Sequence, residues 1–187
     1  QSNSAKTSAY FFCAKKIKME KIKKEFIKDC SRHLNEYTKR VKICLDILNE
    51  EQVWQKPNEA SNSIANLILH LCGNMTQYVL SSLGGKPDFR ERDIEFSVKG
   101  GLTKEQLFEK LSAVVKSVIE EIQIHDEESL LKTRMVQGFE KNGIAIILHI
   151  TEHYSYHTGQ IALLTKLMTN EDLGFYKGMN LNKKNQL

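Results

Sequence analysis

The apolar residues of this chain recur at helical spacing in four separate stretches, each roughly 20 to 30 residues long, and that periodicity restricts the fold more than any other feature. Residues 19–49 carry Ile22, Phe26, Ile27, Cys30, Leu34, Tyr37, Val41, Leu45 and Ile47 between lysines and glutamates, which predicts a long amphipathic helix. A second helix is predicted over 62–83, with Ile64, Leu67, Ile68, Leu71, Met75 and Val79 on its inner side. Gly84 and Gly85 would close it through the left-handed conformation. Thr103 and Gln106 form a capping-box pair that opens a third helix, running to about Ile124 with Leu107, Leu111, Val114, Val115, Val118 and Ile122 on its apolar face. The fourth runs from Gly143 to about Thr169. Ten glycines and two prolines are too few for a sandwich or barrel of many short strands. The predicted fold class is all-α, a four-helix bundle with long connections after helices two and three. Within the second of these, residues 130–139 are read as extended or as a short helix. Connections of that length permit neighbour or crossover packing, so helix order stays open.

Residues 1–18 hold four lysines and no acid, precede Met19, and begin with a QSN run that looks like the remnant of a cleaved tag. The chain is therefore divided into residues 1–18, a tag-derived or disordered segment; 19–170, the bundle; and 171–187, a polar tail. Beyond residue 18 the charges balance, 23 basic against 23 acidic, with no basic stretch interleaved with aromatics. A nucleic-acid partner is not expected. No window approaches the roughly 18 consecutive apolar residues of a membrane span, so no membrane partner is expected either. Cys13, Cys30, Cys44 and Cys72 form no C-x-x-C pair, as in a cytoplasmic protein with reduced thiols. Cys30 and Cys44 would stand about 21 Å apart on one helix, out of disulfide reach.

The chemistry concentrates in helices two and four. Asn66, His70 and Asn74 recur every fourth residue along one edge of helix two. A buried amide or imidazole costs about 1–3 kcal/mol unless bonded, so such a stripe either reaches solvent or serves a site. In helix four His149, His153 and His157 recur at the same spacing. Two imidazoles at i and i+4 can converge on one metal ion. His149 and His157, about 12 Å apart along the axis, cannot both join a compact site, so a further ligand must come from another helix. His70 is the natural donor, and the spacing alone leaves His149 open as a substitute for either partner.

Other residues receive more ordinary readings. His33 and His125 are single histidines expected in satisfied surface or interface positions. Gly159 costs about 1 kcal/mol in a helix, which points to close approach of a neighbouring helix. Gln160 could orient a ligand or make a helix–helix bond, and Asn66 and Asn74 could bond to the His70 ring or to substrate. Arg90, Arg92, Asp93 and Glu95 read as an ion-pair cluster fixing the connection after helix two. Tyr154 and Tyr156 read as packing residues, at a subunit contact in one version.

The segments N-S-I-A-N-L-I-L-H-L-x-G-N (Asn62 to Asn74), R-E-R-D-I-E-F (Arg90 to Phe96) and E-H-Y-S-Y-H-T-G-Q-I (Glu152 to Ile161) resemble the DinB-like (DinB/YfiT-like) superfamily of four-helix-bundle metalloenzymes. They resemble in particular a branch known as a domain of unknown function, with bacillithiol transferases as better-understood relatives. The likeness covers roughly residues 20–170. Where many relatives have arginine before the Gly-Gln pair, this chain has Thr158. The resemblance implies a divalent metal held by His70, His153 and His157, with His149, Asn66, Asn74 and Gln160 behind the ligands or lining the pocket, and a homodimer. Zinc suits three nitrogens; nickel, iron and manganese also fit.

Three function classes follow. A metal-dependent transferase would activate a low-molecular-weight thiol, its small-molecule substrate. A metal-dependent hydrolase would use the same ligands with a proton-transfer group, for which Glu152 is the sequence candidate. A non-catalytic bundle would hold a structural metal with a closed fourth position, or act through a partner.

Overall fold

Side-chain caps set the starts of the principal helices after the first. The computed structural model describes residues 2–186, with side chains from Met19 to Gln186. α1 covers Ser2–Ile47. The reading of residues 1–18 as a tag-derived or disordered segment falls on side chains outside those described, as does Cys13. A short α2 (Glu50–Trp54) begins at an Asn49–Gln52 capping box. α3 (Ile64–Met75) begins at the Ser63 cap, whose hydroxyl accepts from Asn66 N. Its continuation Thr76–Leu83 is a π-helix that ends at Gly84, and Gly85 follows at φ 72°. A wider π turn changes the angular phase of the residues it carries, and such turns occur often at functional sites.

The connection after α3 contains α4 (Arg92–Ser97). α5 (Lys104–Ile124) opens at the expected Thr103–Gln106 capping box. The next connection is more ordered than its sequence suggests: α6 (Glu127–Leu131), then the antiparallel strands β1 (Thr133–Val136) and β2 (Phe139–Asn142). Val136 pairs with Phe139 across a two-residue turn in which Gln137 and Gly138 have φ 50° and 80°, the left-handed pair that matches strand twist. The stretch read as extended or helical is thus a helix end followed by a hairpin. α7 (Gly143–Thr169) starts at the Asn142 cap and ends at a left-handed Asn170.

α1 packs against α7 and α5, and α3 packs against the same two, so α1 and α3 take opposite corners of the bundle. Helices consecutive along the chain are therefore not all neighbours: α3 and α5 pack together, while the connections from α1 to α3 and from α5 to α7 cross the bundle. The apolar sets predicted for the first three helices meet the apolar side of α7 inside: Leu34, Val41, Ile68, Leu71, Leu107 and Leu111 are buried, as are Ile146 and Ile150. Past α7, Leu173 is buried and Arg40 lies over the rings of Phe175 and Tyr176 at 5.1 and 5.2 Å, so the residues expected as a polar tail begin with an anchor on α1. Cys30, Cys44 and Cys72 are free thiols. Among the described residues no helix is long and apolar enough to cross a membrane.

Candidate metal centre

α3 and α7 lie side by side, which brings His70 opposite the turns of α7 that carry His153 and His157. One ring nitrogen from each of these three residues lies within 4.8 Å of the other two. The Nε2 atoms of His70 and His153 are 2.9 Å apart. Ring centroids stand 5.0, 5.0 and 4.4 Å apart for the pairs 70–153, 70–157 and 153–157, and every pair is steeply inclined, at 66° to 85°. Three rings meeting edge to face around a common point is the arrangement of converging ligands rather than of a stacked core.

Two of the rings are fixed from behind. His157 Nδ1 lies 2.7 Å from Gln160 Oε1, an acceptor three residues along the same helix. Because an amide oxygen can only accept, Nδ1 carries the hydrogen, and Nε2 is left with its lone pair free. His70 Nδ1 lies 2.9 Å from Glu95 Oε2, a carboxylate supplied by α4. Arg90 grips Glu95 bidentately, Nε to Oε1 at 2.7 Å and Nη2 to Oε2 at 2.9 Å, and donates through Nη1 to Gln77 Oε1 at 2.9 Å. Gln77 in turn donates to Asp88 Oδ2 at 2.7 Å. Gly73 makes room for this carboxylate: a Cβ there would stand 1.8 Å from Glu95 Oε1.

His149 is outside the trio. Its ring is stacked between Tyr78, at 4.1 Å and 19°, and His153, at 5.3 Å and 17°, and its Nε2 lies 3.4 Å from Asn74 Nδ2. Neither Asn74 nor Asn66 bonds to the His70 ring, contrary to the expectation. Asn74 reaches His149 instead. Asn66 Oδ1 accepts from Ser63 Oγ at 2.7 Å, and its Nδ2 donates to the carbonyls of Glu95 and Val98, both at 2.9 Å. Asn66 thereby closes the α3 cap and ties down the segment that bears Glu95.

Gly159, contrary to the expectation, is exposed, and a Cβ there would meet nothing within 4 Å, so among the described residues no helix approaches it. Tyr154 is fully buried in its own bundle with its hydroxyl 2.9 Å from Thr38 Oγ1, which removes it from any subunit contact, whereas Tyr156 is exposed. Glu152 is exposed and borders a groove with Phe26, Asp29 and His33 of α1. His33 stacks on Tyr37, and His125 bonds to Glu121 and Ser129, the satisfied local roles expected of them. Of the predicted ion-pair cluster, Arg90 and Glu95 form the pair, while Arg92 lies over the Phe96 ring at 5.0 Å. Phe96 packs on His70 with centroids 4.7 Å apart.

The electrostatics favour neutral imidazoles. Burial, reinforced by the neighbouring histidines and Arg90, brings the His153 pKa down to about 3. Burial also lowers His157, partly offset by its bond to Gln160, and lowers His149, where Lys141 adds to the effect. Burial would raise Glu95, but its bonds to Arg90 and His70 and their charges outweigh this and hold it below the usual carboxylate range. Neutral His153 and His157 rings whose nitrogens gather beside one from His70 are what a divalent ion requires of histidine, so the residues present fit such an ion. The buried group could bind a metal; its geometry does not select which.

The sequence places Glu95 in an ion-pair cluster but not beside His70, and that bond is the part of the site it does not reveal. Gly73, a glycine inside a helix and midway between His70 and Met75, was the available signal.

Comparison with known proteins agrees with this architecture. A conserved protein from Enterococcus faecalis superposes with a TM-score of 0.66 at 14% identity, over 77% of this chain and 97% of that one. DinB-like proteins from Bacillus cereus and Bacillus subtilis superpose with TM-scores of 0.61 and 0.59 at 17% and 16% identity. They cover 76% and 77% of this chain, and 90% and 94% of their own. No curated protein matches. Residues 21–181 match the family described as protein of unknown function (DUF1572), and the chain belongs to that family.

Proposed function

We propose that this protein is a metal-dependent enzyme in which His70, His153 and His157 hold a divalent ion, zinc or nickel before iron or manganese, and that it directs a low-molecular-weight thiol at an electrophilic small molecule. The observation that carries the reading is the convergence of three ring nitrogens within 4.8 Å, two of them on rings whose opposite nitrogens are already bonded to Glu95 and Gln160. Three neutral ligands would leave such an ion its full charge, with which it would supply Lewis acidity and lower the pKa of a bound thiol or water.

The chain's own residues supply orientation and proton handling. Glu95 and Gln160 fix two rings, and Phe96 and Tyr78 pack against His70 and His149. His149, kept neutral by burial, is placed to take up a thiol proton at Nε2, the atom that Asn74 faces at a long 3.4 Å. The same neutral ring would serve water, which is the observation favouring a hydrolase as the second reading. Glu152, exposed towards α1, supports that reading less. Exposed Ile22, Leu148 and Tyr156 on α1 and α7 support a homodimer, and the free thiols support a cytoplasmic location.

Cobalt substitution tests the proposal. Adding cysteine to the cobalt-loaded protein should produce sulfur-to-metal charge-transfer absorption, lost in His70→Ala, and conjugation to an electrophile should require the metal. Hydrolytic turnover without any thiol response would favour the hydrolase, and neither response would favour a structural metal.

A further inference from the structure

The support behind His70 differs from an ordinary buried ion pair in that one imidazole shares its acceptor. Two donors converge on Glu95 Oε2: His70 Nδ1 at 2.9 Å and Arg90 Nη2, also at 2.9 Å. Those two nitrogens are 3.1 Å from one another. This contact allows two assignments. In the first, Nδ1 carries a hydrogen and donates to the carboxylate, and the 3.1 Å separation is simply that of two donors on one oxygen. In the second, Nδ1 is bare and accepts from Arg90, which sets its lone pair against a carboxylate oxygen 2.9 Å away. The second arrangement is repulsive. The first satisfies every group, since a carboxylate oxygen has capacity for two donors.

We propose that Glu95 is a positioning residue for the candidate metal centre: held by Arg90 and admitted by Gly73, it fixes the hydrogen of His70 on Nδ1 and so presents the Nε2 lone pair to the site. This rests on the metal-centre reading above and adds to it the residue that prepares one ligand from α4. Arg90 is the means of orientation. Its planar fork binds both carboxylate oxygens, and its remaining amino group is held by Gln77 from the π-helical turn, so the carboxylate cannot rotate away from the imidazole. Gly73 is the means of access, one turn along α3 from His70, where any side chain would occupy the place of Oε1. Asn66 holds the backbone of residue 95 itself. Residue 95 is thus held at its carboxylate by Arg90, which Gln77 braces, held at its backbone by Asn66, and given room by Gly73, and its carboxylate bonds a candidate ligand.

The test has two readouts on the full-length chain. Imidazole nitrogen NMR of the metal-free protein should show His70 with its hydrogen on Nδ1, and Glu95→Gln should lose that single tautomer, because an amide can donate to Nδ1 as readily as accept from it. Cobalt affinity, measured by competition with a chelator, should fall about 10–100-fold in Glu95→Gln, the range found when such outer partners are removed. Arg90→Lys replaces the fork by a point charge and should give a smaller loss in the same direction; it carries the test if Glu95→Gln does not fold. An unchanged His70 tautomer with cobalt affinity within twofold of the parent, in a folded variant, would overturn the proposal. Failure of the parent chain to bind cobalt would overturn the metal-centre reading, while the tautomer comparison would still decide the role of Glu95.

Discussion

His70 and His157 both turn Nε2 towards the cluster, yet their Nδ1 atoms are held by unlike partners. Behind His157 stands Gln160, a neutral amide three residues further along the same helix, 2.7 Å away. Behind His70 stands a carboxylate brought from 25 residues downstream, with an arginine, a glutamine and an aspartate in train. The α7 support comes with the helix and requires little beyond its own backbone. The α4 support is charge-assisted and so about twice as strong per bond, but a buried carboxylate is tolerable only while Arg90 is paired with it. Remote substitutions should therefore disturb the His70 side, and local ones the α7 side.

Removing a ligand gives the largest effect and tests whether the α7 histidines differ among themselves. His153→Ala should abolish metal binding, because it leaves only two of the three gathered ring nitrogens. His149→Ala should leave most of the metal bound, since that ring lies outside the group within 4.8 Å. Metal content per chain, measured after purification without a metal-affinity column, checks both. Equal loss in the two variants would count against the assignment.

A substitution that touches no histidine should break the other side. Gly73→Ala places a methyl group where Glu95 Oε1 now lies, so the carboxylate must move out of its bonds to Arg90 and His70. Overpacking of this kind costs about 1–3 kcal/mol, and here a displaced buried charge adds to it. Thermal unfolding of the metal-free variant should show the loss, with the metal-free parent as reference.

Acid should separate the two sides by pH rather than by sequence. His153, His157 and His149 titrate below their usual value of 6.5 in the folded chain, so between that value and their folded pKa values the unfolded state binds more protons. Their contribution to stability is present above about pH 6.5 and is lost as pH falls from there, for His153 towards about 3. Glu95 is lowered from 4.5, so its contribution is intact above that value and is lost only as pH falls further. Urea unfolding of the metal-free protein at a series of pH values should decline first below 6.5, and His153→Gln should remove part of that early decline while Glu95→Gln affects only the later one.

The contrast also explains what was legible in the sequence. The α7 side was readable because its parts lie on one helix: spacing of four places His153 and His157 on one face, and capping residues such as Thr103 and Gln106 mark the helices that hold the core. His70 could be paired with them through its own apolar helix. Glu95 was not readable in this way. Its role depends on α4 folding back on α3, which Asn66 enforces through two backbone carbonyls, and no periodicity reports a contact across such a connection. The π-helical phase of Gln77 and Tyr78 was likewise invisible, since an α pattern predicts nothing about one widened turn. The hairpin at 133–142 had a local signal, Gln137-Gly138, but strands of four residues are too short for alternation to stand out.

The glycines give the smallest and most discriminating test. The rule that a glycine inside a helix marks a close approach fits Gly73, where a carboxylate fills the space, and fails at Gly159, where a Cβ would meet nothing within 4 Å. At Gly159 only the conformational term remains. Alanine fixes more of the helix in advance than glycine does, so Gly159→Ala should raise stability by up to about 1 kcal/mol. Cobalt affinity should stay unchanged, because residue 159 sits on the exposed side of α7 while His157 is buried. A destabilised Gly159→Ala would mean that another surface covers this face of α7 in solution, and comparing its unfolding midpoint at two protein concentrations would show whether that surface is a second copy of the chain.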